Sequence, residues 1–363
     1  LKSRDFRFSE EQSLAREMRM VINNHTMKEF EIGVLGGGTF GTTIAHSLSI
    51  VGNSVEFWMR GQDQCDTINT KRENTKYLPG YKLGSNIHAT TSLERAVKNK
   101  DIIFICIPSK SFRAVTSKLK SLVDPNTVLV SCTKGMEANT NMLMSDVLFE
   151  ESGSSNIGVL SGPNLAREIM QGMPSGTVIA SQKPRVIELT QMVLSSEYLR
   201  VYGNKDRDGV ELSGTLKNMY AVATGLVTAL GMGSNTLSLI MTRGISEISR
   251  YSISMGADPM TFIGLAGVGD LIATCTSPLS RNYRVGYQIG EGKSLKDAVE
   301  SLGEVSEGVN TIHGVYQRVK SENLHMPMVV ALYEILFENK EPREAIRDCM
   351  TMVQKDDVEF SAK

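Results

Sequence analysis

Apolar positions along this chain come in short runs, and their period changes about midway. Ile32, Val34 and Leu35 form a brief apolar run into Gly36, and residues 42–48 continue with helical spacing. Val55, Phe57 and Met59 alternate with Glu56, Trp58 and Arg60, which predicts a second strand. Residues 101–107 are nearly continuously apolar and end at Pro108, as a strand buried on both faces would. Residues 127–132, 157–160 and 176–180 read as further strands, with helices over 93–99, 112–122 and between the last two strands. Pro79-Gly80 marks a loop over 74–84. Strands alternating with helices imply a parallel βαβ sheet.

After about Asn204 the strand pattern stops. Residues 211–229 and 237–255 read as long helices, and 294–302, 308–321, 327–337 and 342–351 as shorter ones. The polar stretch 203–208 is the expected hinge between the two textures. Arg243 and Glu247 stand at helical i,i+4 spacing.

Composition narrows the function classes. A chain of 363 residues fits two domains better than one. Lys plus Arg total 39 against 40 Asp plus Glu, so no basic field or stripe would gather nucleic acid. The five cysteines and five histidines are scattered, without metal-ligand spacing or a disulfide framework. No uncharged apolar run reaches the roughly eighteen residues of a membrane span, so none is expected. Residues 1–29 mix Arg4, Arg7, Arg16 and Arg19 with Glu10, Glu11 and Glu17, unlike a secretory signal or an acid-poor transit peptide. A polar helix or a frayed tail is expected there. The protein is expected to be cytoplasmic.

The candidate chemistry starts at the first strand. Gly36-Gly-Gly-Thr-Phe-Gly41 sits between a strand and a helix, where this spacing serves a dinucleotide pyrophosphate. Gly36 permits the turn, Gly38 leaves room for the phosphates, and Gly41 lets helix and strand pack closely. Arg60 closes the second strand. NAD-selective sites often carry an acid there, whereas an arginine suits the 2′-phosphate of NADP or adenine stacking, or else simply faces solvent.

Lys134 follows a strand end, where a doubly wound sheet opens onto its ligand. It either holds a phosphate or polarises a carbonyl, or it is a surface lysine before a glycine turn. Lys217 interrupts a small and apolar helical run, so it is either paired or exposed on one edge. If shielded, it would have a lowered pKa and could exchange a proton with a substrate oxygen. Asp270 ends the glycine-rich stretch 264–270 and precedes Thr274, and either orients a lysine or caps a helix. Ser280-Arg-Asn282 offers a hydroxyl, a guanidinium and an amide suited to phosphate, although alone it is only a polar turn. Neither a G-x-S-x-G elbow nor a Walker A stretch is present. Two lysines, an aspartate and a phosphate clamp beside a dinucleotide suit reversible carbonyl reduction.

With Ile107-Pro-Ser-Lys-Ser-Phe112, Cys132-Thr-Lys-Gly135, Ser161-Gly-Pro163, Leu216-Lys-Asn218, Gly267-Val-Gly-Asp-Leu271 and Ser306-Glu-Gly308, the chain resembles the glycerol-3-phosphate dehydrogenases that use soluble nicotinamide cofactors, especially the bacterial type. The resemblance runs from about Phe30 to Cys349. It implies an α/β fold: an N-terminal extension over 1–29, a Rossmann-like parallel-sheet domain over 30–204 and an all-helical domain over 205–363 for substrate binding and dimerisation.

The resemblance also implies roles. Lys217 would be the general acid/base, with Lys134 and Asp270 orienting and polarising the reacting centre. Gly162, Asn164, Thr274, Ser280, Arg281 and Asn282 would line the glycerol phosphate site. Thr39, Phe40, Arg60, Phe112, Ala166, Val305 and Glu307 would contact NAD or NADP, with Lys134 and Arg281 touching both ligands. The expected reaction is reduction of dihydroxyacetone phosphate to sn-glycerol 3-phosphate for phospholipid synthesis, by a homodimer. The alternatives are a related NAD(P)-dependent dehydrogenase of another hydroxy compound and a non-catalytic dinucleotide sensor. Asn164 replaces a small hydroxyl residue common in bacterial members, and Ser213 stands where glycine is common. Both keep polarity and modest size, so activity is expected to survive.

Overall fold

The computed structural model describes residues 30–138, 140–302 and 307–353. The expected leader 1–29 lies outside them. The strands are β1 (Ile32–Leu35), β2 (Val55–Trp58), β3 (Ile87–Thr90), β4 (Ile102–Ile105), β5 (Val128–Ser131), β6 (Ile157–Ser161), β7 (Ser175–Ala180) and β8 (Leu199–Asn204). They form one sheet in the order β3-β2-β1-β4-β5-β6-β7-β8. The order reverses between β1 and β4, and the C-terminal ends of those two strands flank the crevice where such sheets take ligands. The strands β1, β4 and β5 are buried throughout, as their unbroken apolar runs require.

One junction departs from the expected parallel arrangement: β7 runs antiparallel to β6. The helix between them, Ala166–Met170, has only five residues. At 1.5 Å rise per residue it spans about 7.5 Å. The helix alone does not span a strand of roughly 16 Å, and the chain re-enters the sheet from the end it just left. Strands β7 and β8 are parallel again.

Two strands escaped the sequence pattern. In β3 only Ile87 and Ala89 are buried, and in β8 only Leu199 and Val201. Both are edge strands with a single apolar face. The helices Gln62–Lys71, Met144–Ser152, Pro184–Leu194 and Arg281–Gly290 were likewise not legible. The expected hinge is filled by structure: β8 runs through Asn204, and Asp206 caps the next helix by accepting from Gly209 N at 3.0 Å.

That helix, Arg207–Ala229, starts one turn earlier than the pattern predicted and is buried on every face between Gly209 and Val227. A helix enclosed all round is the axis of its region. Leu212, Leu216, Met219, Val222 and Leu226 pack there with Ile248, Phe262, Leu271, Ile312 and Val329. Its closest neighbour is the Arg281–Gly290 helix. A Cβ added to Gly225 would lie 1.9 Å from the Tyr283 carbonyl oxygen, and one added to Gly286 would lie 1.9 Å from that of Val222. The two backbones touch because neither position has a side chain. The described residues from Glu31 onward belong to one compact unit.

Candidate active site

Three chain segments converge where the Arg207–Ala229 helix passes the ends of β5 and β6. Beyond β5 the Thr133 hydroxyl donates to Ile107 O at 2.6 Å, tying that exit to the exit of β4. Gly135 N then donates to Thr215 Oγ1 at 3.1 Å, fastening the loop to the helix. Gly135 has φ +141°, which favours glycine. Lys134 is thus held from both sides. Its Nζ donates to Asp270 Oδ2 at 2.7 Å and to Gly162 O at 3.2 Å.

Asp270 is the first residue of the Asp270–Thr276 helix and follows a π-helical turn, Leu265–Gly269. Its carboxylate does not cap that helix. One oxygen accepts from Lys134 and the other from Lys217. Lys217 Nζ also donates to Thr274 Oγ1, whose own proton goes to Asp270 O at 2.7 Å. Both Lys217 and Asp270 are fully enclosed.

Two ammonium groups therefore share one buried carboxylate. Desolvation pushes the Lys217 pKa down from 10.5 to about 7; Asp270 opposes this, and the positive charge of Lys134 assists it. Lys134 remains partly exposed, at 24% for its side chain, so the group opens on the Lys134 side.

The other expected residues take different places. Gly162 (φ +135°) is buried beside Lys134. Asn164 Nδ2 donates to Thr177 Oγ1 at 3.0 Å, while its Oδ1 is buried without a partner among the described residues. Asn164 and Phe40 line one narrow gap with Thr43, Ile44 and Leu160. Ala166 opens the short helix that packs on the Thr39–Ile50 helix. Ser280 caps the Arg281–Gly290 helix by accepting from Tyr283 N at 3.3 Å. Asn282 Oδ1 accepts from Gly308 N at 3.0 Å, and Arg281 is exposed.

Glu307 is half-buried over Gly135 and accepts from Ser109 Oγ at 3.5 Å. Burial pushes its carboxyl up to about 7, against the pull of Arg281, Ser109 and Lys134. Val305 lies outside the described residues. Phe112 requires a correction: it is fully buried among Leu35, Ile105, Leu129 and Met144, so its ring presents no surface to a ligand. Its aromatic character serves the core beneath the sheet.

The glycine turn fits a dinucleotide. Gly36 has φ +114°, and a Cβ there would lie 2.3 Å from Cys106 O. A Cβ on Gly41 would lie 1.9 Å from Gly36 O, whereas one on Gly38 meets no atom of the described residues within 4 Å. Gly37 is packed as well, a Cβ there lying 2.7 Å from Met59 Cβ, so of the four glycines only Gly38 has an open face. The Thr39–Ile50 helix has no side-chain cap and no acid in its first turn, so its N-terminal N–H groups suit an anion. Two braces were missed in the sequence. Gln64 Nε2 and Asn74 Nδ2 both donate to Gly37 O, at 2.6 and 3.0 Å, and Asn74 also donates to Thr42 Oγ1 at 2.7 Å. No periodicity marks them, because each acts as a single polar contact. Arg60 is exposed just beyond β2.

Comparison with known proteins decides the family. Residues 31–187 match the model described as the NAD-dependent glycerol-3-phosphate dehydrogenase N-terminus, and residues 206–347 match that of the C-terminus. The chain belongs to the NAD-dependent glycerol-3-phosphate dehydrogenase family. It is 46% identical over 329 residues to the glycerol-3-phosphate dehydrogenase (NAD(P)+) of Teredinibacter turnerae, covering 91% of this chain and 97% of that protein. It is 47% identical over 341 residues to the same enzyme of Acinetobacter baylyi, covering 94% and 95%. The crystal structure of glycerol-3-phosphate dehydrogenase from Coxiella burnetii superposes with a TM-score of 0.84 at 32% identity, over 89% of this chain and 99% of that one. A D-mandelate dehydrogenase structure, 14% identical with a TM-score of 0.56 over 87% of this chain and 99% of its own, shares the fold alone.

Among the described residues no helix is long and apolar enough to cross a membrane, and no cluster of His, Cys, Asp and Glu could hold a metal ion.

Proposed function

We infer that this chain is an NAD(P)-dependent glycerol-3-phosphate dehydrogenase that reduces the ketone of dihydroxyacetone phosphate to sn-glycerol 3-phosphate. The observation that carries the reading is the pairing of Lys217 and Lys134 on the buried Asp270 carboxylate. A bound reduced nicotinamide supplies the hydride that reaches C2. Lys217 gives its proton to the C2 oxygen as that oxygen gains charge, and Lys134 adds positive potential beside it. Asp270 holds both amines in place, and Thr274 accepts a second N–H of Lys217. The balance is one hydride to carbon and one proton to oxygen; in the reverse direction the neutral Lys217 takes the proton back.

Gly36, Gly38, Gly41, Thr39, Phe40, Ala166, Glu307 and Val305 are assigned to the cofactor. Gly162, Asn164, Ser280, Arg281 and Asn282 are assigned to the phosphorylated substrate. Arg60 is assigned to the 2′-phosphate, which favours NADP. The division at 204/205, a homodimer, a cytoplasmic setting and supply of glycerol phosphate to phospholipid synthesis belong to the same reading.

The test is cofactor absorbance with dihydroxyacetone phosphate and each reduced cofactor. Turnover is expected with this ketone. Cofactor binding without turnover would leave a dinucleotide sensor, and preference for another hydroxy compound would leave a related dehydrogenase. Lys217→Ala should lower kcat by roughly 10²-fold or more while cofactor affinity stays near that of the parent. Unchanged kcat would move proton transfer to another group.

A further inference from the structure

The exits of β4 and β5 carry a pair of cysteines that the reaction does not use. In the parallel ladder Ile105 is paired with Ser131, and Cys132 N donates to Ile105 O at 2.9 Å. Cys106 and Cys132 are therefore side by side, one step further along each strand and on the same face. Adjacent strands lie about 4.8 Å apart, inside the roughly 4.4–6.8 Å range of Cα separations found in disulfides. Cys106 is half-exposed and Cys132 is buried. The remaining cysteines lie outside this pair: Cys65 and Cys275 are buried, and Cys349 is half-buried near Pro327.

The location gives the pair a consequence. The Cys106 carbonyl oxygen is the atom that a Cβ on Gly36 would strike, at 2.3 Å, and Cys106 Cβ lies 3.2 Å from where a Gly41 Cβ would stand. The glycine turn thus rests directly on Cys106. Cys132 is two residues before Lys134, and Thr133 between them is bonded to Ile107 O. A covalent bond between the two sulfurs would pull on the floor of the cofactor turn and on the root of the lysine loop together.

We propose that Cys106 and Cys132 are an oxidation site, a cross-strand dithiol whose closure to a disulfide weakens dinucleotide binding. The co-reactant is a two-electron oxidant that reaches the half-exposed Cys106. With an azo oxidant such as diamide, the Cys106 sulfur adds to the N=N bond. The Cys132 sulfur then attacks Cys106, forming S–S and expelling the hydrazine. Both thiol protons finish on the two nitrogens. The dithiol loses two electrons and the azo compound gains them. Burial and the neighbouring Cys106 raise the Cys132 thiol pKa, so the more exposed Cys106 is the sulfur that the oxidant meets first.

The experiment treats the full chain with diamide. It counts free thiols, maps peptides by mass spectrometry and titrates NADPH by fluorescence. The expected result is loss of two thiols per chain and a peptide joining Cys106 to Cys132. NADPH affinity should fall by about tenfold or more, equivalent to at least about 1.4 kcal/mol. Dithiothreitol should restore affinity, and bound NADPH should slow the oxidation. Cys106→Ser and Cys132→Ser should fold, bind NADPH and resist diamide. The proposal is overturned if no joined peptide forms, if it forms without change in affinity, or if the double serine variant loses affinity equally. Peptide mapping and cofactor titration need no turnover, so they stand apart from any failure of the dehydrogenase assay.

Discussion

Asp270 does at residue scale what no single lysine could do alone. One carboxylate accepts from two ammoniums, and the more enclosed amine titrates near neutrality because burial outweighs the ion pair. The sign of the resulting pH dependence follows. Ketone reduction needs the protonated Lys217, so kcat for reduction should fall as pH rises through its depressed pKa, well below 10.5. Alcohol oxidation should rise over the same interval. Lys134→Gln removes a charge that lowers this pKa, so the falling limb should move to higher pH along with a smaller kcat. A pH–rate profile of both proteins in the reductive direction checks this; a limb that stays in place would detach Lys134 from the titration.

Arg60 gives a second expectation at this scale. Arg60→Ala should raise the KM for NADPH by roughly tenfold, the order expected for loss of a charged contact. KM for NADH should stay within about twofold. Equal effects on both cofactors would remove the 2′-phosphate role.

Lys217 was legible because a lysine in an otherwise small and apolar helical run needs a partner, and Asp270 because it ends a glycine-rich turn. Phe112 was misread because its position in a motif says nothing about which way its ring points. Gln64 and Asn74 could not be found, since their roles depend on a glycine carbonyl dozens of residues away.

At the scale of elements, a single helix aligns the chemistry. The Arg207–Ala229 helix carries Lys217, receives the Lys134 loop through Thr215, and accepts the π-turn before Asp270 through the Ser213 hydroxyl, which donates to Ala266 O at 2.9 Å. Ser213 thus has a bond that glycine could not make. The helix is fixed in turn by its glycine crossing. Gly286→Ala would place a methyl against a backbone carbonyl that cannot rotate away. It should cost about 1–3 kcal/mol as overpacking does, read as a lower midpoint in thermal or urea unfolding. A parental midpoint would mean that the helices separate easily.

Long helices and buried strands were legible because their period is sustained. Edge strands β3 and β8 were not, since each buries only two apolar side chains. The antiparallel turn into β7 was hidden as well. It depends on the length of a connecting helix rather than on any strand's own pattern.

For the whole molecule, cofactor binding should act on stability as mass action requires. A ligand that binds only the folded chain, at a hundred times its Kd, adds about 2.7 kcal/mol. Saturating NADPH should therefore raise the unfolding midpoint, and Gly41→Ala, whose methyl would meet Gly36 O, should lose most of that increment. An increment equal to the parent's would place the nucleotide elsewhere. The large-scale plan, sheet first and helices after, was visible in the change of texture near Asn204. The join falls inside the expected stretch 203–208, as a strand end and a helix cap with almost no free linker between them.

That short join carries a mechanical implication. With only Lys205 and Asp206 between the last strand and the longest helix, and with Asp206 also accepting from Thr261 Oγ1 at 2.7 Å, the chain has little slack at this point. Any rotation that narrows the cleft around a ligand would have to carry both amines together, because the Lys134 loop is bonded to the helix through Thr215 and both ammoniums to Asp270.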